Sequence, residues 1–439
     1  MIGSNVMNTR LRGLLALALS ATLVSMPAHA GGYTPGVIDK SLAGTTISLL
    51  VPPWAAYSQA LLDDFTARTG ITVKVESVDF DSIHDKIVTA AASGQAVADV
   101  IELDWTWVSQ FGAAGWLAPL DKLLTPQQVQ DAVGANSFSY KGQQVGLPYS
   151  LDFRGTLVNM SKFKKAGISD PPTTWVELLD DAKKLKAAGV AEYPIAMPLS
   201  ITENTSTPWY TLVRAAGGFV IDEKGEPAFA NGGVGVSSLQ FIRDAYAAGV
   251  IDPGAIGLTQ DQVNQEFIGG SAAVLLSAWP SSVSLGNPGA EGSNIVGDEL
   301  RFIHVPGEKN NAGASIALEE ALAIPSLSKN QEAAAMYLSW SLDPQTQVAA
   351  YNDSGPLPTN QNALKSLSAN PDSKAMMDAV LQIMPTIEPV IPGGPPTWYT
   401  KFSAEVAATI QGVALGQVTA EKAVEDLAAK TRQIAAQAN

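Results

Sequence analysis

From residue 45 onward the chain alternates short apolar strand patterns with amphipathic helix patterns, which restricts it to an α/β architecture. Thr45–Val51 reads as a buried strand that runs into Pro52-Pro53-Trp54. A helical pattern follows over 57–68, with Leu61, Leu62 and Phe65 on one face and Gly70 as its stop. Ile71, Val73 and Val75 then alternate with Thr72, Lys74 and Glu76, the period of a half-buried strand. A helix near 81–93 and a strand at 99–103 come next. Strands separated by helices of this length imply a parallel sheet with helical crossovers. The same texture resumes later, where Thr174-Trp-Val-Glu177 is a capping box opening a helix that Gly189 closes. Ser328-Lys-Asn-Gln331 opens another helix, and 420–436 reads as a long amphipathic one.

The N-terminus carries a different signal. Arg10 and Arg12 precede an uncharged run from Gly13 to Met26, and Ala28-His29-Ala30 has the form of a signal-peptidase site. Residues 1–30 are therefore expected to be a cleavable signal peptide, placing the mature chain in the periplasm. No later stretch approaches the ~20 apolar residues a bilayer span needs. The sequence holds no cysteine, which excludes a lipid anchor at the cleavage site, thiol nucleophiles and thiolate metal sites. An exported chain without disulfides must be stable through the size of its core. The remaining 409 residues suffice for two domains of about 150–200 residues each.

Cleavage removes Arg10 and Arg12 from the 27 basic residues and none of the 42 acidic ones, leaving a net charge of −17. Such a surface repels phosphate backbones and anionic membranes, so no nucleic acid or membrane partner is expected. His84 and His304 are the histidines that remain, too few for a histidine metal site or most acid–base relays. No metal, cofactor or catalytic residue is assigned.

The nine tryptophans are unevenly placed. Trp116, Trp175 and Trp340 fall in helical or packing contexts. Trp54, Trp105, Trp107, Trp209, Trp279 and Trp398 sit at strand ends or in loops beside Pro, Gly or Ser. In open α/β sheets, ligands bind outside the carboxyl ends of the strands. An indole face suits the apolar C–H face of a sugar ring, whose hydroxyls need carboxylates, amides and Arg around the edge. The neighbours are of that kind: Glu102 and Asp104 beside Trp105, Asp152 and Arg154 after Tyr149, and Glu203 and Asn204 before Trp209.

Several segments, in order, resemble one known family. They are Asp99-Val-Ile-Glu-Leu-Asp-Trp105 with Gly115-Trp-Leu-Ala-Pro-Leu120, then Gly146-Leu-Pro-Tyr-Ser-Leu-Asp-Phe-Arg154 through Asn159, and Pro171-Pro-Thr-Thr-Trp-Val-Glu-Leu178. Ala215-Ala-Gly-Gly-Phe219, Phe267-Ile-Gly-Gly-Ser-Ala-Ala273 leading to Trp279, Ile324 to Asn330, and Gly355-Pro-Leu-Pro-Thr359 follow. Together they resemble the extracellular solute-binding proteins of bacterial ATP-binding-cassette importers, in the sugar-binding branch typified by maltose-binding protein. The resemblance implies a periplasmic-binding-protein fold of two α/β lobes. Each lobe has a mainly parallel sheet flanked by helices, and the two close on a hinge over one solute. It implies crossings near 150–156, 305–315 and 350–358, a first lobe of 31–152 plus 312–352, and a second of 153–308 plus 356–439.

Carried over position by position, Asp152 matches a sugar-contacting carboxylate at the first crossing. Trp279 and the pair Trp398-Tyr399 match stacking aromatics, and Asp104 and Trp105 fall where the first lobe lines the cleft. Trp209 or Tyr210 matches another lining aromatic. The chain departs from maltose-binding relatives at Pro52-Pro53-Trp54 and at Glu319-Glu320, where one carboxylate or the other is expected either to reach a hydroxyl or cationic group of the solute or to brace the hinge. The expected ligand set is Trp54, Asp104, Trp105, Tyr149, Asp152, Arg154, Asn204, Trp209, Trp279, Glu319, Trp398 and Tyr399. The expected activity is capture of a carbohydrate (mono- or oligosaccharide, or polyol) for delivery to a membrane permease by a monomer. A polyamine or a phosphorylated polyol is the alternative solute. An exported carbohydrate-active enzyme using Asp104 and Asp152 is the remote one.

Overall fold

The structure is a computed structural model and describes residues 41–286, 292–309 and 314–438. The expected signal peptide lies outside the described residues. Its strands are β1 (Thr46–Val51), β2 (Thr72–Ser77), β3 (Val100–Asp104), the short hairpin β4 (Ser139–Tyr140) and β5 (Gln143–Gln144), and β6 (Leu147–Ser150). The chain continues through β7 (Gly155–Asn159), β8 (Ile195–Ala196), β9 (Val274–Ala278), β10 (Leu300–Ile303), β11 (Ser315–Ala317), β12 (Glu320–Ala323) and β13 (Ile387–Pro389).

Two sheets carry the architecture. The first has the order β2-β1-β3-β12-β6 and the second β10-β7-β9-β8. In the first sheet, β1 pairs in parallel with β2 and β3, as the helical crossovers dictate, whereas β12 runs antiparallel to β3 and β6. The second sheet is more mixed: β7 is antiparallel to both β10 and β9, and only β8–β9 is parallel. The reversals belong to strands that enter or leave one sheet from the other, so they run against the strands built by local helical crossovers. The expected mainly parallel character is thus concentrated in the first sheet.

Local signals act where the sequence puts them. Thr174 accepts from the Glu177 amide while Glu177 reaches back, and the helix Trp175–Ala187 ends before Gly189 at φ 66°. Helix Gln331–Ser341 departs from expectation, with Asn330 as its N-cap and no side-chain cap bond. The Ser328 hydroxyl instead turns back to Asp99 (2.8 Å) and accepts from the Asn330 amide.

Asp99 is the clasp of the first sheet. Its carboxylate accepts from the Ser48 amide (2.9 Å) and hydroxyl (3.1 Å) on β1, and from Ser328 and the Asn330 side chain (3.2 Å) before the helix. Beneath it the helix 331–341 contributes Ala334, Tyr337, Leu338 and Trp340 to a core shared with Ile47, Leu49, Phe65 and Val100. Packing around 153–157 gathers Leu151, Phe153, Leu157, Phe267 and Leu275 with Leu367, Met377 and Val380.

The chain passes from one sheet to the other between β6 and β7 and again between β10 and β12. These passages touch. The Arg154 amide donates to the Ile316 carbonyl (3.1 Å), the Leu318 amide to the Asp152 carbonyl (3.1 Å), and the Leu151 amide to the Leu357 carbonyl (2.9 Å). Removing a charged acceptor of several hydrogen bonds costs on the order of 2–3 kcal/mol. Asp99→Ala should therefore lower the melting temperature by several degrees, measured by thermal unfolding of residues 31–439. An unchanged melting temperature would show that the clasp is dispensable.

Candidate functional site

Alternation along β3 sends Ile101 and Leu103 to one face and Glu102 and Asp104 to the other. The antiparallel register with β12 then sets Glu320 opposite Asp104 and Leu322 opposite Glu102. Three carboxylates therefore meet at the end of the first sheet. Glu320 accepts from the Trp54 indole N–H (2.6 Å) and from the Tyr149 hydroxyl, tying the β1 and β6 ends to its own. Asp104 caps the turn Trp105–Trp107 by accepting from the Thr106 amide (2.8 Å) and hydroxyl. Glu102 is fully buried, and neither carboxylate oxygen has a hydrogen-bond partner.

The crossing segment 151–154 adds a pair of opposite charge. Arg154 donates one nitrogen to both oxygens of Asp152, each at 2.6 Å, and its guanidinium lies 5.1 Å from the centre of the Trp279 ring. Trp279 owes its position to a bulge. Gly155 pairs with Ala278 and Thr156 with Leu276, which leaves Ser277 as the extra residue. Ser277 takes φ 62°, a left-handed conformation rare outside glycine, and its hydroxyl meets that of Thr211 at 3.1 Å.

The opposite wall comes from helices Glu203–Ala215 and Tyr399–Ala414. The Tyr399 hydroxyl donates to Glu203 Oε1 (2.6 Å) and lies 3.4 Å from the Tyr210 hydroxyl. The ring of Tyr399 meets Trp105 edge-on at 5.2 Å, so a residue at the end of β3 touches the helix that packs on Glu203–Ala215, which in turn contacts β9.

The structure thus gathers Trp54, Asp104, Trp105, Tyr149, Asp152, Arg154, Trp279 and Tyr399 in one neighbourhood, Tyr399 as a fully buried ring behind Trp105. Of the other four expected residues, three lie elsewhere and Asn204 stands beside Glu203. Trp209 is fully buried in the core and donates its indole N–H to Ser238 (2.8 Å), so it has no face left for a solute. Helical periodicity explains this, because Trp209 lies inside the helix and not at a strand end. Trp398 packs edge-on against Phe402 and lines a separate cavity of about 500 Å³, beside the 222–226 turn and Arg432. Glu319 faces away from Glu320, as neighbours on extended chain do, and lies against Gly134 and Ser137. Asn204 is half-buried and makes no hydrogen bond among those described, and its neighbour Glu203 holds Tyr399 instead. Trp107, grouped above with the strand-end rings, stacks on Phe80 at 5.3 Å within packing.

Glu320 stood in the sequence only as an alternative to Glu319, and Glu102 and Glu203 only as polar neighbours. The strand parity of Glu102, Asp104 and Glu320 was the signal available, but it needs the β3–β12 register to be read. Among the described residues no group of three or more His, Asp or Glu is arranged to hold a metal ion. None of the described helices is long and apolar enough to cross a membrane.

Burial dominates the electrostatics. It pushes the carboxyls of Asp104 and Glu320 up to about 7, at Asp104 against the Thr106 hydrogen bonds and Arg154 and with help from Glu203, at Glu320 with help from Asp152. Burial and the charges of Glu320 and Asp104 hold Glu102 well above the carboxylate range, and burial raises Asp152 against the opposing pull of Arg154. Glu319, 8% exposed, is likewise raised to about 7, first by burial and then by Asp152. A carboxyl whose folded-state value is raised holds its proton longer than the unfolded chain does. It therefore costs stability progressively as pH climbs from about 4.5 through about 7. Glu319→Gln should raise stability at pH 8 by on the order of 2–3 kcal/mol and leave it unchanged at pH 4.5. Chemical denaturation at the two pH values checks this, and a gain of equal size at both would contradict it.

A protein of Sinorhizobium fredii named "Probable amino-acid ABC transporter periplasmic-binding protein" is 26% identical over 350 residues, 75% of each chain. The diacetylchitobiose-binding protein of Streptomyces coelicolor is 24% identical over 391 residues, covering 83% of this chain and 86% of its own. The crystal structure of an ABC transporter solute-binding protein from Thermotoga lettingae, bound with α-D-tagatose, superposes with a TM-score of 0.78 at 25% identity. It covers 89% of this chain and 99% of that one. Residues 51–348 match the family described as bacterial extracellular solute-binding protein, and this chain belongs to that family.

Proposed function

We propose that this protein captures a carbohydrate or polyol between its two sheets and delivers it, unchanged, to the permease of an ATP-binding-cassette importer. The observation that carries this reading is the meeting, at 5.2 Å, of Trp105 at the end of β3 with Tyr399 at the start of a helix packed on Glu203–Ala215, with Asp104, Asp152 and Glu320 nearby. Aromatic faces take the C–H surface of a sugar ring, and carboxylates accept from its hydroxyls with charge-assisted strength. The Streptomyces and Thermotoga relatives, whose named ligands are diacetylchitobiose and tagatose, support the solute class.

In this reading one lobe comprises 31–152 with 312–352 and the other 153–308 with 356–439, and the protein acts as a periplasmic monomer. The touching crossing segments serve as the hinge. Solute docks on one half-site and closure adds the other, and the shift toward the closed form equals the difference in affinity for the two forms. No chemistry is required of the carboxylates beyond accepting and donating hydrogen bonds.

Thermal unfolding against sugars, polyols, polyamines and sugar phosphates tests the class. Ligand at 100 times its Kd adds about 2.7 kcal/mol, a rise of a few degrees. We expect a sugar or polyol to produce that rise and to be recovered intact, whereas consumption of the sugar would contradict capture. Trp105→Ala should weaken binding of the stabilising solute about tenfold or more, roughly 1.4 kcal/mol, by isothermal titration calorimetry. An unchanged Kd would remove Trp105 from the site.

A further inference from the structure

We infer that the captured solute is a polyhydroxylated compound carrying a protonated amine (an amino sugar or amino-alditol), with the ammonium seated against Asp104 and Glu320 in front of Glu102. This inference rests on the carbohydrate reading above and narrows it.

The charge count in the site is lopsided. Asp152 has its cation in Arg154, held through both carboxylate oxygens. Glu102, Asp104 and Glu320 form no ion pair among the described residues, and Arg154, already held by Asp152, reaches only Asp104 through its charge, and weakly against burial. Their partners are neutral donors: Trp54 and Tyr149 on Glu320, and Thr106 on Asp104. Glu102 is fully buried with neither oxygen in a well-formed hydrogen bond, the Tyr149 hydroxyl being the one donor that acts on it, and the charges of Glu320 and Asp104 both press on it from the same strand ends.

A buried carboxylate without a partner is costly, and three side by side repel. Relief requires protons or an incoming cation. Hydroxyls of a neutral sugar donate hydrogen bonds but bring no charge, whereas an ammonium brings three donors and the missing positive charge in one group. The rings adjoining the cluster favour the same chemistry. Trp54 is 47% exposed with its indole N–H anchored on Glu320, and Trp105 follows Asp104 directly, so an ammonium there also meets aromatic faces. A diamine without hydroxyls would leave Arg154 and its Trp279 platform unused, which is why the hydroxylated amine is preferred over a polyamine.

Isothermal titration calorimetry of the mature protein at pH 7.5 tests this with matched probes: 1-amino-1-deoxysorbitol against sorbitol, glucosamine against glucose and N-acetylglucosamine, and putrescine. The expected result is at least tenfold tighter binding of an amine than of its neutral counterpart. In Glu102→Gln that ratio should fall at least fivefold. Neutral members binding as tightly as the amines would overturn the inference and leave the carbohydrate reading standing. Binding of putrescine alone would overturn both. The wild-type panel decides the matter even if the Glu102 variant fails to fold.

Discussion

The antiparallel pairing of β12 with β3 is the contact on which the site depends. It places Glu320 opposite Asp104, brings Tyr149 of β6 and Trp54 of the β1 loop onto Glu320, and so joins four strand ends of the first sheet. β12 is also the strand that arrives from the crossing segment, because 315–318 runs beside 152–154. The carboxylates and the passage between sheets are therefore built from the same stretch of chain. Glu320 and the Asp152–Arg154 pair thus sit at the ends of two segments that are hydrogen-bonded to each other.

The carboxyl cluster also carries an energetic tension. Burial raises all three of these acids, so the folded protein holds protons that the unfolded chain would release. A site arranged only for stability would fill this region with apolar side chains, as the surrounding cores do. Buried, strained acid groups gathered beside aromatic rings are the pattern expected where binding has been favoured over stability. The left-handed Ser277, at the bulge that aims Trp279, is a second such expense at the same place.

Much of this was legible in the residues. The strand and helix periods over 45–103 emerge as β1, β2, β3 and their helices within a few residues, and the Thr174 capping box forms as written. Trp54, Asp104, Trp105, Tyr149, Asp152, Arg154, Trp279 and Tyr399 stand in one neighbourhood because strand-end and crossing positions are readable from local pattern. What was not legible depends on pairings distant in sequence. Choosing Glu320 over Glu319 requires the register with β3, 216 positions earlier in the chain by number. Separating Trp209 from the site requires knowing that its helix packs against Ser238 and Phe229. Trp398 and Tyr399 are adjacent but serve different surfaces, since a helix start turns successive side chains about 100° apart.

The central claim is that a solute lies unaltered beside the Trp105–Tyr399 contact, with its polar groups on Asp104, Asp152 and Glu320. A crystal structure of the mature protein, grown with the most stabilising solute of the panel, tests it most directly. The account predicts an intact ligand with a ring or carbon chain against Trp105 or Tyr399 and donors within hydrogen-bond distance of those carboxylates. A ligand found only in the cavity beside Trp398, or one whose bonds have been cleaved, would contradict it.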